Sequence, residues 1–570
     1  MPFYRIYKTP HPCGHRFFIR YFLWCEPTRY VAASIAQIDA DDRAFLPNLA
    51  VLRKQPSEID IRLAPNRSRS GDVRTGNTPP DISHAGSRPD FRRPGAECGA
   101  GNVGRPGLGS WNPAEAMKGN GPIIILGGGV AGLSVGYYAK LAGIPFSLFE
   151  KSSRVGGNCI TLRHGDFLFD SGAHRIHDSD PRITRDLQDL LGKDLMRVEA
   201  PSRIFHQGNF IDFPLSPLNL LLKLGVAQSL RAVRDLALGR MTVRDRLSNF
   251  ESFALATYGR TVAEKFLLGY SEKLWGLPAA RLSPSIAGKR LKGLDIRTFV
   301  REAVFGKRAK TDHLEGMRFY YPRGGFGEIP RRLAESCGPE RIFLNSEVNR
   351  VLHEGGRLVA VGIDGNRIVE VGQGQVASTL PVGSLIRALE PRAPEPILRI
   401  AGALQYRHMV LAVFFVDRPS FTKNATIYIP DPDLPFTRIY EPKNRSAAMS
   451  PPDRTCLVFE IPCRKTDACW TTGDEETLDL VHAQVIRKKW LEDREIAGGL
   501  VYRFECAYPI LENGYERKLD VLLEYLSAFR NLHSAGRNGL FAYSWLPDIM
   551  RTGRDIVGSV AAAEGAALRE

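Results

Sequence analysis

The sequence predicts an α/β protein, and three adjacent stretches carry that expectation. Four apolar residues, Ile123 to Leu126, run straight into Gly127, Gly128 and Gly129. An Ala-rich, amphipathic segment from Val130 to Ala142 follows, and a second apolar run ends at Glu150. The order is strand, tight turn, helix, strand, which is the opening unit of a Rossmann-type nucleotide-binding domain.

Each residue of that unit has a separate task. Gly127 allows the sharp turn off the strand, Gly129 lets the backbone approach a pyrophosphate with no Cβ in the way, and Gly132 lets the helix pack close on the sheet. The pyrophosphate then lies at the helix N-terminus, beside Val130 and Ala131, where free N–H groups and the macrodipole favour an anion. Glu150 stands about twenty residues beyond the glycines, placed to accept a hydrogen bond from a ribose 2′-hydroxyl. The 2′-phosphate of NADP would be repelled there. A glycine-rich turn alone is a weak signal; the flanking strand, helix and acid make this one specific.

The whole chain sets wider bounds. Its 570 residues, 43% hydrophobic and 24% charged, suit a globular protein of about two to four domains. The net charge is +15, but 16 basic and 11 acidic residues precede Met117, so +5 lies in the leader and +10 in the body. No RNP-like, zinc-finger or helix-turn-helix pattern accompanies that charge, and a nucleic-acid partner is not expected. Nine cysteines without a CxxC pattern argue for reduced thiols, no metal site and a cytoplasmic setting. Cys159, just after Gly157 and Asn158, is either a buried small residue or a neighbour of the cofactor. No run of eighteen apolar residues occurs, and RFFIRYFLW is broken by Arg16 and Arg20, so neither a spanning helix nor a signal peptide is expected.

Taken in order, residues 1–118 differ from the rest. Arginine outnumbers lysine 14 to 2 before Met117, and Pro65 to Trp111 is dominated by Gly, Pro, Ser, Arg, Asn and Asp, a composition expected to be disordered. Either Met117 is the true start or the leader is a functional basic tail. After the fingerprint, a His-Gly-Asp turn at 164–166 predicts a hairpin, and Phe169 to Ala173 leads back to His174 and His177. A histidine at the edge of a cofactor ring can hydrogen-bond it or handle a proton, although either one alone is as readily structural. RIFHQGNFIDF reads as a second hairpin. Phe213 to Leu222 reads as the core of a helical cap, with peripheral membrane contact the lesser alternative. Helical periodicity from Thr242 to Leu268 precedes Trp275, which either closes over a ligand or fills the core. Glycines at 324–327 precede a helix, strands with Gly turns end on Val376 to Pro381, a β-rich block follows from Tyr406, and a helix spans about 475–489. Gly536 and Arg537 open the last helical segment, whose start is placed to face a pyrophosphate or ribityl chain.

At these residues the chain resembles a known superfamily. Glu150 followed by Lys151, Arg154, Gly156, Gly157 and Asn158 resembles the second half of the FAD fingerprint of the amine oxidase and protoporphyrinogen oxidase superfamily. The YPRGG segment at 321–325, EVNRV with Val348 placed to pack on the adenine, and GRNGLFAY with Gly536 and Arg537 are similar to motifs of the same group. Three more resemble the related UDP-galactopyranose mutases: GYSEKLWG, PFTRIYEPK and GNFIDFPLSPLNL. The resemblance implies FAD, held noncovalently in a glutathione-reductase-like ββα sandwich with an inserted mixed α+β substrate domain. Residues 119–205, 325–385 and 530–570 are expected to form the FAD-binding domain, and 206–324 and 386–529 the substrate or cap domain.

The resemblance also implies chemistry. In the favoured reading a small organic substrate passes a hydride to flavin N5, and oxygen or another acceptor reoxidises the cofactor. The YPRGG loop, the His174 loop and Trp275 are expected to wall the flavin. Arg438 and Tyr440 are expected to hold an anionic group of the substrate, because a guanidinium fork suits carboxylate and phosphate alike; an ion pair between Arg438 and neighbouring Glu441 is the alternative. The mutase likeness assigns Arg438 to a substrate diphosphate and Tyr543 to its neighbourhood, and implies instead an isomerase acting on a nucleotide sugar. Against it, KRLKGL at 289–294 lacks the arginine that ends the mutase motif, and Asp178 and Ser179 replace its threonine. A flavin-binding docking protein without turnover is the third reading.

Overall fold

The computed structural model describes residues 121–213, 248–288 and 318–563, with scattered positions between 227 and 238. The expectations placed on 1–118, on most of Phe213 to Leu222 and on 289–294 lie outside the described residues.

The run Ile123–Leu126 is a fully buried strand that pairs in parallel with Phe146–Phe149 on one side and Gln375–Ser378 on the other. Leu532–Ser534 and Ile342–Phe343 extend this to a five-stranded parallel sheet. A strand covered on both faces wants an unbroken apolar run rather than alternation, and that is what the sequence supplies. The helix Val130–Leu141 departs from expectation: instead of an amphipathic element it is buried at every residue from Val130 to Ala139. The reason is a further layer outside it. Cys337, in the helix Glu328–Cys337, sets its Sγ 3.6 Å from the Leu133 carbonyl oxygen. A Cβ at Gly553, in the helix Leu546–Ala563, would meet Ser134 Cβ at 2.9 Å. A helix enclosed by a sheet and two helices has no solvent face.

The second large sheet has seven strands, in the order Ile496–Pro509, Tyr406–Val416, Thr455–Cys463, Arg438–Tyr440, Thr426–Tyr428, Ser202–His206 and Asn209–Phe213. Its register sets Arg438 opposite Glu460 on one neighbour and opposite Tyr428 on the other. Directly opposed residues share a face, so these three side chains stand together.

Between the sheets, the expected hairpin forms from Thr161–His164 and Phe167–Asp170. Its last residue, Asp170, is buried and ties three segments: Thr161 Oγ1 donates to it at 2.7 Å, the Phe326 amide at 2.9 Å, and the Tyr321 hydroxyl also donates to it. Burial pushes the Asp170 carboxyl up from its ordinary range, and these hydrogen bonds oppose that shift. The carboxylate thereby locks the 321–327 loop onto the hairpin that leads to His174. Farther on, the helix Phe250–Val262, kinked at Gly259 with φ 74°, continues through a π-helical turn, Ala263–Leu268, into Gly269–Trp275.

Candidate active site

One cleft of about 1430 Å³ gathers most of the predicted residues. At one end it is lined by Gly127, Gly129, Val130, Ala131, Glu150 and Lys151, with Arg154, Gly156, Gly157, Asn158, Val348 and Gly536 around them, while Arg537 reaches over the rings of Tyr508 and Tyr543 at 5.5 and 5.2 Å. At the other it is lined by His174, His177, Arg438 and Tyr543. Arg438 is separated from Gly127 by some three hundred residues of sequence, yet one continuous surface joins them.

The nucleotide end has the form its glycines predict. Gly127 takes φ +103°, a conformation that disfavours a side chain. A Cβ on Gly132 would lie 2.0 Å from the Gly127 carbonyl oxygen, which is the close helix-to-turn packing expected. Gly129 differs from both: its ordinary φ of −69° tolerates any residue, and nothing lies within 4 Å of where a Cβ would point. The space beside it is cleft. As the N-cap of Val130–Leu141, Gly129 also offers no side-chain cap, so the first-turn N–H groups keep their donors for a ligand. Glu150 accepts from the Gly128 amide at 2.7 Å and from the Ser152 amide at 2.8 Å, which fixes the carboxylate while leaving lone pairs for a hydroxyl. Two buried polar atoms in the lining, Arg537 Nε and Asn538 Oδ1, have no partner among the described residues. A cradle that a Cβ would fill, uncapped donors and orphaned polar atoms together fit a dinucleotide pyrophosphate and the chain beyond it.

Arg154 and Asn158 line the same end with polar groups already engaged. Arg154 donates to the Gly157 carbonyl at 3.0 Å, and Asn158 Nδ2 to the carbonyls of Glu505 and Cys506 at 3.0 and 3.2 Å. Cys159 also lines the cleft, and burial pushes its thiol up to about 12, so it is an uncharged wall.

At the far end Arg438 is only 4% exposed. Its Nε donates to Glu460 Oε2 at 2.5 Å and its Nη2 to the Tyr508 hydroxyl at 2.6 Å, with Nη2 also paired to Glu460. Burial is the largest influence and opposes the charge, but Glu460 together with Tyr508, Tyr270 and Tyr543 outweighs it and holds the guanidinium well above the ordinary arginine range. The alternative pair with Glu441 does not form; the internal ion pair is with Glu460. Glu441 instead accepts the amides of Phe421 and Thr422 at 3.0 and 2.8 Å. Three residues along an extended chain reverse the face, so Glu441 points away from the side Arg438 uses.

Two expected residues stand outside the cleft lining. Tyr440 is fully buried, donates to the Asp170 carbonyl at 2.6 Å and carries the Arg445 guanidinium over its ring at 4.9 Å. Trp275 lies behind the wall, edge-on to Tyr508 and Tyr543 with both ring centroids 6.0 Å away. It therefore braces the tyrosines that face the cleft. His174 does line the cleft, stacked on Phe326 at 4.7 Å, and His177 packs on Trp545 at 5.1 Å. Sequence reasoning missed Glu460 and Tyr508. A visible signal existed for the first: a single carboxylate inside the otherwise apolar strand CLVFEIPC, buried along its whole length, needs a cationic partner.

Residues 130–485, more than half of the chain, match the flavin-containing amine oxidoreductase family. The chain belongs to that family. FAD is its cofactor. The chain is 24% identical over 296 residues to a zeta-carotene-forming phytoene desaturase of Myxococcus xanthus, covering 48% of this chain and 56% of that one. It is 26% identical over 110 residues to protoporphyrinogen oxidase 2 of Arabidopsis thaliana, covering 19% and 22%. The chain thus spans about half or less of the length of these curated relatives. Among solved structures, a reduced UDP-galactopyranose mutase superposes with a TM-score of 0.67 at 20% identity, over 79% of this chain and 96% of that one. This likeness is one of fold: an FAD-binding α/β domain with a substrate domain. No helix among the described residues is long and apolar enough to cross a membrane.

Proposed function

We propose that the protein is an FAD-dependent oxidoreductase that takes a hydride from a small organic substrate bearing an acidic group, with that group held at Arg438. What supports the reading is the single cleft that runs from the glycine cradle to the Arg438, Glu460 and Tyr508 cluster. FAD, when bound, supplies the two-electron acceptor. The chain supplies the rest. Glu460 neutralises most of the cost of burying Arg438 and fixes its fork, while Arg438 Nη1 makes no bond to the described residues and remains for an anion. Tyr508 and Tyr543, stacked at 5.8 Å and braced by Trp275, give a rigid aromatic floor. Phe326 and His174, stacked at 4.7 Å, add a second aromatic pair to the lining. The expected partner is the small-molecule substrate alone, without nucleic acid or membrane, in a reducing, cytoplasmic setting consistent with six free thiols among the described residues.

The isomerase reading is favoured by one observation: Arg438 and Tyr543, the residues that the mutase likeness singles out, converge on Tyr508 in the same cleft. One experiment separates the two. Titrating UDP into the holoprotein should leave the flavin spectrum unchanged if an oxidoreductase acts here on another acid, while acidic small molecules should bleach it anaerobically. A UDP-induced spectral change, together with turnover of a UDP-sugar by the dithionite-reduced protein and none by the oxidised form, would replace the oxidoreductase reading with the isomerase.

A further inference from the structure

Two cysteines meet on the side of the seven-stranded sheet turned away from Arg438. Cys463 ends the strand Thr455–Cys463, three residues beyond Glu460, and an odd step along a strand reverses the face. Its thiol therefore joins the apolar cluster of Val410, Phe414 and Phe459 behind the cleft wall. A tight turn brings Cys469 back to the same place. The Asp467 amide donates to the Arg464 carbonyl at 3.1 Å, the Arg464 amide donates to Asp467 Oδ2 at 2.7 Å, and the short helix Ala468–Thr471 follows. His408 stands directly opposite Cys463 in register, and the Trp470 ring lies 5.1 Å from it. Cys469 and Trp470 both pack against the cluster that contains Cys463, and the Cys463 thiol donates a hydrogen bond to the Cys469 sulfur.

The two sulfurs are not equivalent. Cys463 is fully buried, whereas Cys469 is partly exposed. Their shared hydrogen bond is the largest influence on both. With help from Arg407 it holds Cys469 below the ordinary thiol value, against burial and Asp467. The same bond, with burial, pushes Cys463 far up. The thiolate thus forms on the sulfur that solvent can reach, and the proton stays on the enclosed one. A reachable thiolate is the form that attacks a peroxide, and a thiol in contact with it is what turns the resulting sulfenic acid into a disulfide. Cys159, Cys337 and Cys456, each pushed up to about 12 by burial, lack the first of these properties.

We propose that Cys463 and Cys469 are a redox modification site, a dithiol that hydrogen peroxide oxidises to an intramolecular disulfide. The Cys469 sulfur attacks one oxygen of the peroxide, the O–O bond breaks, hydroxide leaves and a sulfenic acid forms. The Cys463 sulfur then attacks that sulfur, the S–O bond breaks, and the thiol proton leaves with the hydroxyl as water. Over both steps the two thiols give up two electrons and two protons, and one hydrogen peroxide becomes two waters. The site lies outside the cleft, so the proposal stands apart from the choice of substrate.

The test uses the FAD-loaded full chain, reduced with dithiothreitol, desalted, treated with hydrogen peroxide, alkylated and digested without reductant. Trypsin cuts after Arg454, Arg464, Lys465 and Arg487, so the disulfide joins peptide 455–464 to peptide 466–487. Fragmentation of the joined pair separates Cys463 from Cys456, which share a peptide. Both thiols should disappear together, at least about tenfold faster than those of Cys159 and Cys456, and dithiothreitol should restore them. Cys469→Ala should leave Cys463 reduced over the same time. Cys463→Ala should leave Cys469 as a sulfenic acid that dimedone traps. Should either variant fail to fold, the linkage in the wild type still decides. Cys469 bonded to any other cysteine, Cys469 oxidised to a sulfinic acid while Cys463 keeps its thiol, or loss of both no faster than that of Cys159 would each overturn the proposal. No turnover is required, so failure to find an oxidised substrate would count only against the oxidoreductase reading.

Discussion

Gly129 and Gly132 are three residues apart in one fingerprint, and the structure assigns them opposite sensitivities. Gly129 has φ −69° and ψ 175°, which any residue can adopt, and a Cβ there would meet nothing within 4 Å. Gly129→Val should therefore fold, at a cost of about 1 kcal/mol for a poor N-cap. Its isopropyl group would occupy the space in which a pyrophosphate meets the helix N–H groups. Losing two charge-assisted hydrogen bonds of about 1.5 to 3 kcal/mol each weakens binding by roughly a hundredfold to ten-thousandfold. A Cβ on Gly132, in contrast, would lie 2.0 Å from the Gly127 carbonyl oxygen. Gly132→Ala must push the helix off the turn, at about 1 to 3 kcal/mol or more, and should lower the Tm of the apoprotein by several degrees. The assay pairs the flavin-to-protein absorbance ratio and calorimetric titration of FAD with thermal melts of the two apoproteins. A Gly129→Val protein that purifies fully yellow, or a Gly132→Ala protein that melts like the wild type, would refute the division of labour described here.

Arg438→Ala should destabilise the fold by about 3 to 5 kcal/mol, because it strands Glu460 as a buried unpaired charge; Arg438→Met combined with Glu460→Gln should cost less, as urea unfolding would reveal. Lys273, whose Nζ donates to the Ile429 and Asp431 carbonyls at 3.1 and 2.9 Å, is pushed down by burial to about 7. The unfolded chain then binds the extra proton between about pH 7 and the ordinary lysine value, so stability should rise with pH across that window. Lys273→Met should flatten the rise, measured as Tm against pH. Among the six described cysteines, Cys469 should be alkylated first by iodoacetamide, since a hydrogen bond from Cys463 lowers its thiol pKa, while burial pushes Cys159 and Cys456 up to about 12. Peptide mapping of a partly labelled sample would show the order.

The local architecture was legible in the sequence because it is written in short-range chemistry. A strand–turn–helix unit needs its glycines and apolar run within a few residues of each other, and the turns at 164–166 and 206–209 announce themselves by composition. The glycine-rich wall of the cleft is assembled largely from that contiguous fingerprint, so the motif and this stretch of lining coincide. The substrate end was not legible in this way. Tyr440 is two residues from Arg438 and yet binds the Asp170 carbonyl away from the cleft, while Tyr508, seventy residues on, meets the guanidinium. Arg438 chose Glu460 over the adjacent Glu441 because strand register, set by packing of the whole sheet, placed Glu460 opposite it. Even the first helix, patterned as half-exposed, is enclosed because helices from 328–337 and 546–563 close over it. Sequence alone determined the strand–turn–helix unit and the elements around it, since those depend on propensity and spacing along the chain. Tertiary structure alone decided which charges pair and which aromatics face the ligand, because cross-strand register depends on contacts that no local stretch of sequence contains.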